Sequence, residues 1–466
     1  MSGLIGSAGG GASIGAAKGV EDDGGGGGSG TLKNVTSADG SVIVTSPSAD
    51  VRDLSENGVF QLIDSFGSGD DTGAINAALA SLAGRAHSGG VLQMPAGTHR
   101  ADGTINVPTG CSIIGAGKGA TIIDNGRNAG ACIKLLNAFA SRLSDFSINA
   151  SVARTAGAKA IDIVGGNASI QPFAPTFTLS ANEIVVKRVD MDQQFDGVVI
   201  ENDPGPPVKS TFLTYVKDGR YGRMQGGDGI RIDCAAPTDG NQYGASQFID
   251  KVAIYAHAGD TLSNGLHIVG TGDATIEKVQ TFNIQNGLNI NTPTNGRCST
   301  LRFARCQFDT STQYCAWLQQ ATGAITDDIC FEGCWFAGGG VHNVLVQSAS
   351  ASDLRFIGCK FFFATQYGIV LTGAAPGPLW VTLIGNTFSG AGSGGFRSVV
   401  GSGFTLIGNR FNASALGLPM SMPQAVTVDA GNSDFTIADN NWIGSVAGLL
   451  DNSGDVRKSV GGNLGP

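Results

Sequence analysis

The sequence predicts an all-β chain wound as a right-handed parallel β-helix, and three observations predict it. Glycine is abundant, at 72 of 466 residues, while only 14% of residues are charged. Val, Ile, Leu and Phe occur in short runs cut by Gly and Pro, the mark of a turn-dense β protein. Above all, a short apolar pattern returns again and again, each copy followed by a second alternating strand.

The repeat is read from VVKRVDM, FIDKVAIY, TIEKVQTF, LRFARCQF, ICFEGCWF, LRFIGCKF, VTLIGNTF, FTLIGNRF and FTIADNNW. Registered on Val189, Val252, Val279, Cys306, Cys334, Cys359, Asn386, Asn409 and Asn440, the steps are 63, 27, 27, 28, 25, 27, 23 and 31 residues. Such a period marks a stacked architecture. Three places before the reference lie Val, Ile, Leu or Phe residues such as Phe303, Phe331 and Phe356, and two places after it lie residues that include Phe308, Phe336, Phe361, Phe388 and Phe411. These columns predict ladders of like side chains inside the coil. Asn386, Asn409 and Asn440 predict an asparagine ladder at a turn, with Cys306, Cys334 and Cys359 filling the same slot as small hydrophobes.

The second strands are DGVVIE, DGIRID, NGLHIV, NGLNIN, YCAWLQ, HNVLVQ, YGIVLT and AVTVDA. Alternation turns Ile230 and Ile232, or Leu288 and Ile290, inward and their neighbours outward. The 63-residue first step is read as a hidden rung plus an insertion at roughly 202–227. That insertion would rim the second-strand face with Tyr215, Lys217, Arg220, Tyr221 and Arg223.

Four segments are expected. Residues 1–50 are rich in Gly, Ala and Ser, a composition that buries too little surface to fold alone, and they read as an anchoring segment with one short strand, SVIVT. Residues 51–130 hold a capping helix and the first rungs: Asp70-Asp71-Thr72 is a helix-start signal before AINAALASLAGRA, and Gly84 is a stop. Residues 131–450 form the body, of roughly eleven rungs, and 451–466 a tail.

Residues 58–125 resemble the N-terminal module of the pectate-lyase superfamily. The matching residues are Asp70-Asp71-Thr72, Gly90-Val91-Leu92-Gln93-Met94-Pro95-Ala96-Gly97-Thr98 and Ile114-Gly115-Ala116-Gly117. The loop before the acidic pair is shorter here, and His99 stands where the family has Tyr. The module implies a capped β-helix and carries no catalytic residues. It occurs in secreted polysaccharide-degrading enzymes and in bacteriophage tailspikes.

Charge and cysteine content narrow the choice. A net charge of −9 without a basic stripe argues against nucleic acid. No apolar run is long enough for a membrane span, and no secretory signal is expected. The nine cysteines mostly sit in strand patterns and read as reduced, buried thiols made in a cytoplasm. Neither zinc spacing nor a calcium loop occurs, so no metal and no cofactor are expected.

The outward positions of the second strands form two columns. One holds Val199, Arg231, His267, Asn289 and Trp317; the other holds Glu201, Asp233, Val269, Asn291, Gln319 and Gln347. Glu201 and Asp233, one rung apart, suit the paired carboxylates of glycoside hydrolysis, each raising the proton affinity of the other. Arg231 and His267 join them as catalytic candidates. Trp317, Asn289, Asn291, Gln319, Tyr221, Tyr255 and His257 are the sugar-binding candidates. A second cluster, Asp190, Asp192 and Asp196 with Tyr255 and His257, suits base-catalysed elimination from a uronate. The bland reading makes these residues ordinary surface charges and a packed Trp.

The whole pattern resembles a bacteriophage tailspike. That resemblance implies a virion tail protein and a homotrimer. It implies tail or adaptor partners for residues 1–50, and a host polysaccharide or lipopolysaccharide as ligand. Hydrolytic depolymerisation, binding without catalysis, and lyase or epimerase chemistry are the readings left open, with hydrolysis ahead.

Overall fold

The computed structural model describes residues 59–61, 69–83, 89–165, 183–202, 211–234, 245–256, 263–412, 414–415, 418–419, 422–443, 445 and 447–465. Of these, 38 strands join in one hydrogen-bonded network of parallel pairs, and a small antiparallel pair, Ser414–Ala415 with Leu418–Pro419, stands apart. The fold is the expected right-handed parallel β-helix. The expected anchor, residues 1–50, lies outside the described residues, as does the strand expected at SVIVT.

Each rung contributes to three sheets. Ile325–Glu332 lies in the first, Trp335–Ala337 in the second and His342–Gln347 in the third. The repeat read as one strand is therefore two, and this corrects the sequence reading. A left-handed residue, one place before the reference position, makes the bend. Arg188, Lys251, Lys278 and Arg305 have φ of 52–54°, Asp439 has 55°, and Gly333, Gly358, Gly385 and Gly408 have 59–64°. Glycine takes that conformation without a Cβ clash, and four of these nine corners are glycine.

Behind the bend the inward columns stack as ladders. Phe303, Phe331 and Phe356 lie 4.6 and 4.9 Å apart by ring centroid. Phe336, Phe361, Phe388 and Phe411 follow at 5.1, 4.6 and 4.7 Å. The asparagine ladder forms as expected. Asn386 Nδ2 donates to Asn409 Oδ1 at 2.9 Å, Asn409 Nδ2 to Asn440 Oδ1 at 2.9 Å, and Asn440 Nδ2 to Asn463 Oδ1 at 3.1 Å. It also caps the cysteine column, since Asn386 Oδ1 accepts the Cys359 N–H at 2.8 Å. All nine cysteines are free thiols, and only Cys330 is partly exposed.

The helix runs Thr72–Ala83 and buries Ile75, Ala78, Leu79 and Leu82. Asp70 Oδ1 accepts the Thr72 N–H at 2.9 Å at its start. It packs against Gly90–Met94 and Ile105–Asn106, covering the edge that an open coil end would expose. Among the described residues no helix is long and apolar enough to cross a membrane.

The segment read as an insertion contains the hidden rung itself. Phe212–Lys217 and Arg220–Gly222 pair with Ile184–Asp192 below and with Ala245–Asp250 and Ala253–Tyr255 above. Tyr221 is consequently a core residue, 0% exposed and opposite Met191 and Ile254, not a rim residue that could touch a ligand.

Candidate functional site

The third sheet runs unbroken from Ala131–Leu136 to Ala447–Asp451. Its register places Asp162, Val199, Arg231, His267, Asn289, Trp317 and Leu345 in one outward column. Glu201 pairs with Asp233, and Asn291 with Gln319 and then Gln347, in the next. Between them a bulge sets Asp233 opposite Gly270, so Val269 does not take its expected place.

Glu201 and Asp233 are neighbours, yet each faces a cation. Glu201 Oε1 lies 2.7 Å from Lys159 Nζ, and Asp233 Oδ2 lies 2.5 Å from Arg231 Nη2. The expectation rested on mutual repulsion of two carboxylates, and counter-ions replace it. Burial alone would lower Lys159 and Arg231, but Asp162 and Glu201 around the first and Asp233, Asp228 and Asp196 around the second outweigh it, so both cations are held above their ordinary range.

The carboxyl raised on this face is Asp196, at the start of its strand. It is 6% exposed, and burial, with nearby Asp228, pushes its pKa up to about 6, against the Asp228 N–H, Arg231 and Lys159. Its Oδ1 accepts the Asp228 N–H at 2.8 Å. Gly227 makes that seat, because a Cβ there would fall 1.9 Å from the same oxygen. Asp162 is raised as well, by burial and by Glu201, against Lys159.

Asp228 begins the next strand. Its Oδ1 accepts from Asn264 Nδ2 and its Oδ2 meets His267 Nδ1, each at 2.7 Å. Asn286 Nδ2 continues the chain to Asn264 Oδ1 at 3.1 Å. Tyr314 pairs with Asn286 in register and His342 with Tyr314. Tyr314 lies 5.2 Å from Trp317 and 6.0 Å from His342, and His342 6.0 Å from Tyr367, by ring centroid. Burial, then Arg397, lowers the His342 pKa to about 4, so the imidazole is neutral at pH 7. One column thus passes from carboxylates through amides to aromatic rings.

Along the outward column three buried polar atoms, Arg231 Nε, His267 Nε2 and Trp317 Nε1, have no hydrogen-bond partner among the described residues. Asn289 Oδ1 accepts from Gln319 Nε2 at 3.0 Å, while Asn291 is exposed. Sequence reasoning missed Lys159, Asp162, Asp228, Tyr314, His342 and Tyr367. The signal for four of them was position: Asp228, Tyr314, His342 and Tyr367 each stand two places before the first inward residue of a third-sheet strand.

The second expected cluster divides. Asp190, Asp192, Arg220, Arg223 and Tyr255 line a groove of about 430 Å³ on the second sheet with Asn149, Met191 and Gly222. Arg223 pairs with Asp192. Arg220 lies 5.0 Å from the Tyr255 ring centroid and donates to its hydroxyl. Asp196 belongs instead to the third sheet, and His257 lies outside the described residues. Among the described residues no three His, Cys, Asp or Glu side chains converge on a metal position.

No curated protein matches this sequence. Residues 241–411 match the model of the right handed beta helix region. In fold the chain is similar to bacteriophage CBA120 tailspike protein 3, with a TM-score of 0.60 at 14% identity over 86% of this chain and 60% of the tailspike, so it spans under two thirds of that protein. It is similar to the A-module of the Azotobacter vinelandii mannuronan C-5 epimerase AlgE4, with a TM-score of 0.55 at 15% identity over 85% of this chain and 97% of that module. DFA-IIIase from Arthrobacter chlorophenolicus A6 follows, with a TM-score of 0.50 at 13% identity, covering 82% of this chain and 94% of the enzyme. What these proteins share with this one is the fold, and residues 241–411 are a right-handed β-helix region by sequence as well as by structure.

Proposed function

We propose that this protein is a tailspike-type β-helix that binds a cell-surface polysaccharide along the third-sheet face and hydrolyses it there. The observation that carries the reading is the outward column of partly exposed Arg231, His267 and Trp317 beside the buried carboxyl of Asp196. Sugar hydroxyls are the partners such a column fits. The half-buried rings of Tyr314 and Trp317 offer the flat apolar surface on which a sugar ring stacks.

In this reading Asp196 is the general acid. It carries its proton below about pH 6 and gives it to the leaving glycosidic oxygen. Asp228, held by Asn264 and His267, is the partner carboxylate that activates water or attacks the sugar carbon. Glu201 and Asp233 fix Lys159 and Arg231 and so act as positioning residues. In the same reading the protein is a homotrimer and attaches to a virion through residues 1–50.

The test is to incubate the protein with a panel of bacterial capsular polysaccharides and lipopolysaccharides, then to size the products and count new reducing ends. Shortened chains from wild type and intact, still-bound chains from D196N support hydrolysis. Binding without any shortening reduces the protein to a receptor-binding spike. Products carrying an unsaturated sugar would assign elimination instead.

A further inference from the structure

The groove on the second sheet plays no part in the third-sheet reading. Its volume of about 430 Å³ lies inside the usual range of about 300–1,000 Å³ for small-ligand clefts. Asn149, Asp192, Gly222 and Tyr255 follow one another up one outward column, and Asp190 pairs with Arg220 in the next. Gly222 is the gap in the first column. A Cβ there would fall 2.8 Å from the Tyr255 hydroxyl oxygen and 2.9–3.0 Å from ring carbons Cζ and Cε2, so the ring lies across the glycine. The Arg220 guanidinium, 5.0 Å from the ring centroid, holds it there by donating to its hydroxyl.

The charges of the groove are matched within the protein. Arg223 Nε donates to Asp192 Oδ1 at 2.8 Å and Arg223 Nη2 to Asp192 Oδ2, a two-point fork. Asp190 Oδ1 lies 3.0 Å from Lys118 Nζ and accepts the Arg220 N–H at 2.9 Å. Two carboxylates and two guanidinium groups thus line the same small space. An anionic ligand would meet two like charges there, and so would a cationic one. An uncharged ligand rich in hydroxyls meets neither penalty, because a hydroxyl donates to a carboxylate and accepts from a guanidinium. The half-buried Tyr255 ring adds a flat apolar surface that a sugar ring can cover.

We propose that this groove is a second glycan site, which binds a neutral sugar unit of a polysaccharide against Tyr255, with adjacent hydroxyls on the Asp192–Arg223 fork. It lies on a different sheet from Asp196 and Asp228, so it stands whether or not the third sheet hydrolyses anything. Where both hold, a polymer gripped on the second sheet stays at a raised effective concentration beside the third.

The test is calorimetric titration of the full chain with neutral hexasaccharides of glucose, mannose, galactose and rhamnose, with hexagalacturonate as the charged reference at fixed ionic strength. The proteins are W317A, which weakens the third-sheet face, and the double variants W317A/Y255A and W317A/R220Q. At least one neutral probe should bind W317A, and its Kd should rise about tenfold in W317A/Y255A, the loss expected for one stacked ring. W317A/R220Q releases the ring and removes one guanidinium, so it should weaken the same probe, and it decides alone if Y255A does not fold. No neutral probe bound by W317A, tighter binding of hexagalacturonate than of every neutral probe, or a Kd unchanged in both double variants overturns the proposal.

Discussion

His267 Nδ1 lies 2.7 Å from Asp228 Oδ2, while the other ring nitrogen of His267 is buried without a partner among the described residues. A carboxylate on Nδ1 fixes which ring nitrogen carries the proton and holds the ring in place. Asp228 also accepts from Asn264, so it serves two donors with two oxygens. An amide has one oxygen and cannot. D228N should therefore lower turnover at least about tenfold, with the circular dichroism of the fold retained. Reducing-end assays on D228N and H267Q check this, and full activity in both would remove the pair from the site.

Asp196 gives the protein a pH dependence with a definite sign. Its folded pKa is about 6 against an ordinary 3.8, so between those values the folded state holds the extra proton. Its contribution is fully present below the ordinary value and is lost as pH rises through about 6. D196N removes that loss. It should match wild type near pH 3 and exceed it at pH 8, by up to about 3 kcal/mol. Urea titrations at the two pH values measure it. Wild-type hydrolysis should decline over the same window as Asp196 gives up its proton.

Trp317 and Tyr314 meet ring to ring at 5.2 Å on the upper part of the face. W317A should cost about 1–2 kcal/mol of glycan affinity, roughly a tenfold loss, and leave the melting temperature nearly unchanged. Glycan-array binding and thermal melting separate the two effects. A large fall in stability with unchanged binding would make Trp317 a packing residue.

Asn409 lies at the centre of the amide ladder. Its Oδ1 accepts the Asn386 N–H and Asn386 Nδ2, and its Nδ2 donates to Asn440 Oδ1 and the Leu383 carbonyl, all at 2.9–3.0 Å. N409A leaves those groups buried and unpaired. A loss of about 2–4 kcal/mol follows, measured by urea unfolding.

Tyr221 supplies a test in the opposite direction. Its hydroxyl is fully buried and has no partner among the described residues, and burial raises its pKa. Y221F deletes a polar group that gains nothing from its surroundings. It should be neutral or stabilising by up to about 2 kcal/mol, with glycan binding intact.

The stack was legible in the sequence because inward alternation leaves the same residue type at the same phase of every rung, as in the Phe308 to Phe411 column. The corner was not, since four of its nine residues are Arg or Lys, which carry no sign of a left-handed backbone. Tyr221 was misread because the Pro-Gly-Pro-Pro run before it looks like the start of a long loop, and its strand is only three residues long. Pairing in register brought Glu201 to Asp233 as expected, but Lys159 comes from the rung below and is silent in any local pattern. Asp196 is buried by Gly227 and the Asp228 backbone, a contact made across a turn that alternation does not describe.

The left-handed corner has a consequence for how such a chain can change over generations. It holds the inward residues three before, at, and two after the reference position at constant spacing, whatever the length of the rest of the rung. Insertions and deletions in the other two turns leave the Phe and Asn columns in phase, as the spread of steps from 23 to 33 residues already records. The chain can thus rewrite its surface turns while inheriting an unaltered interior.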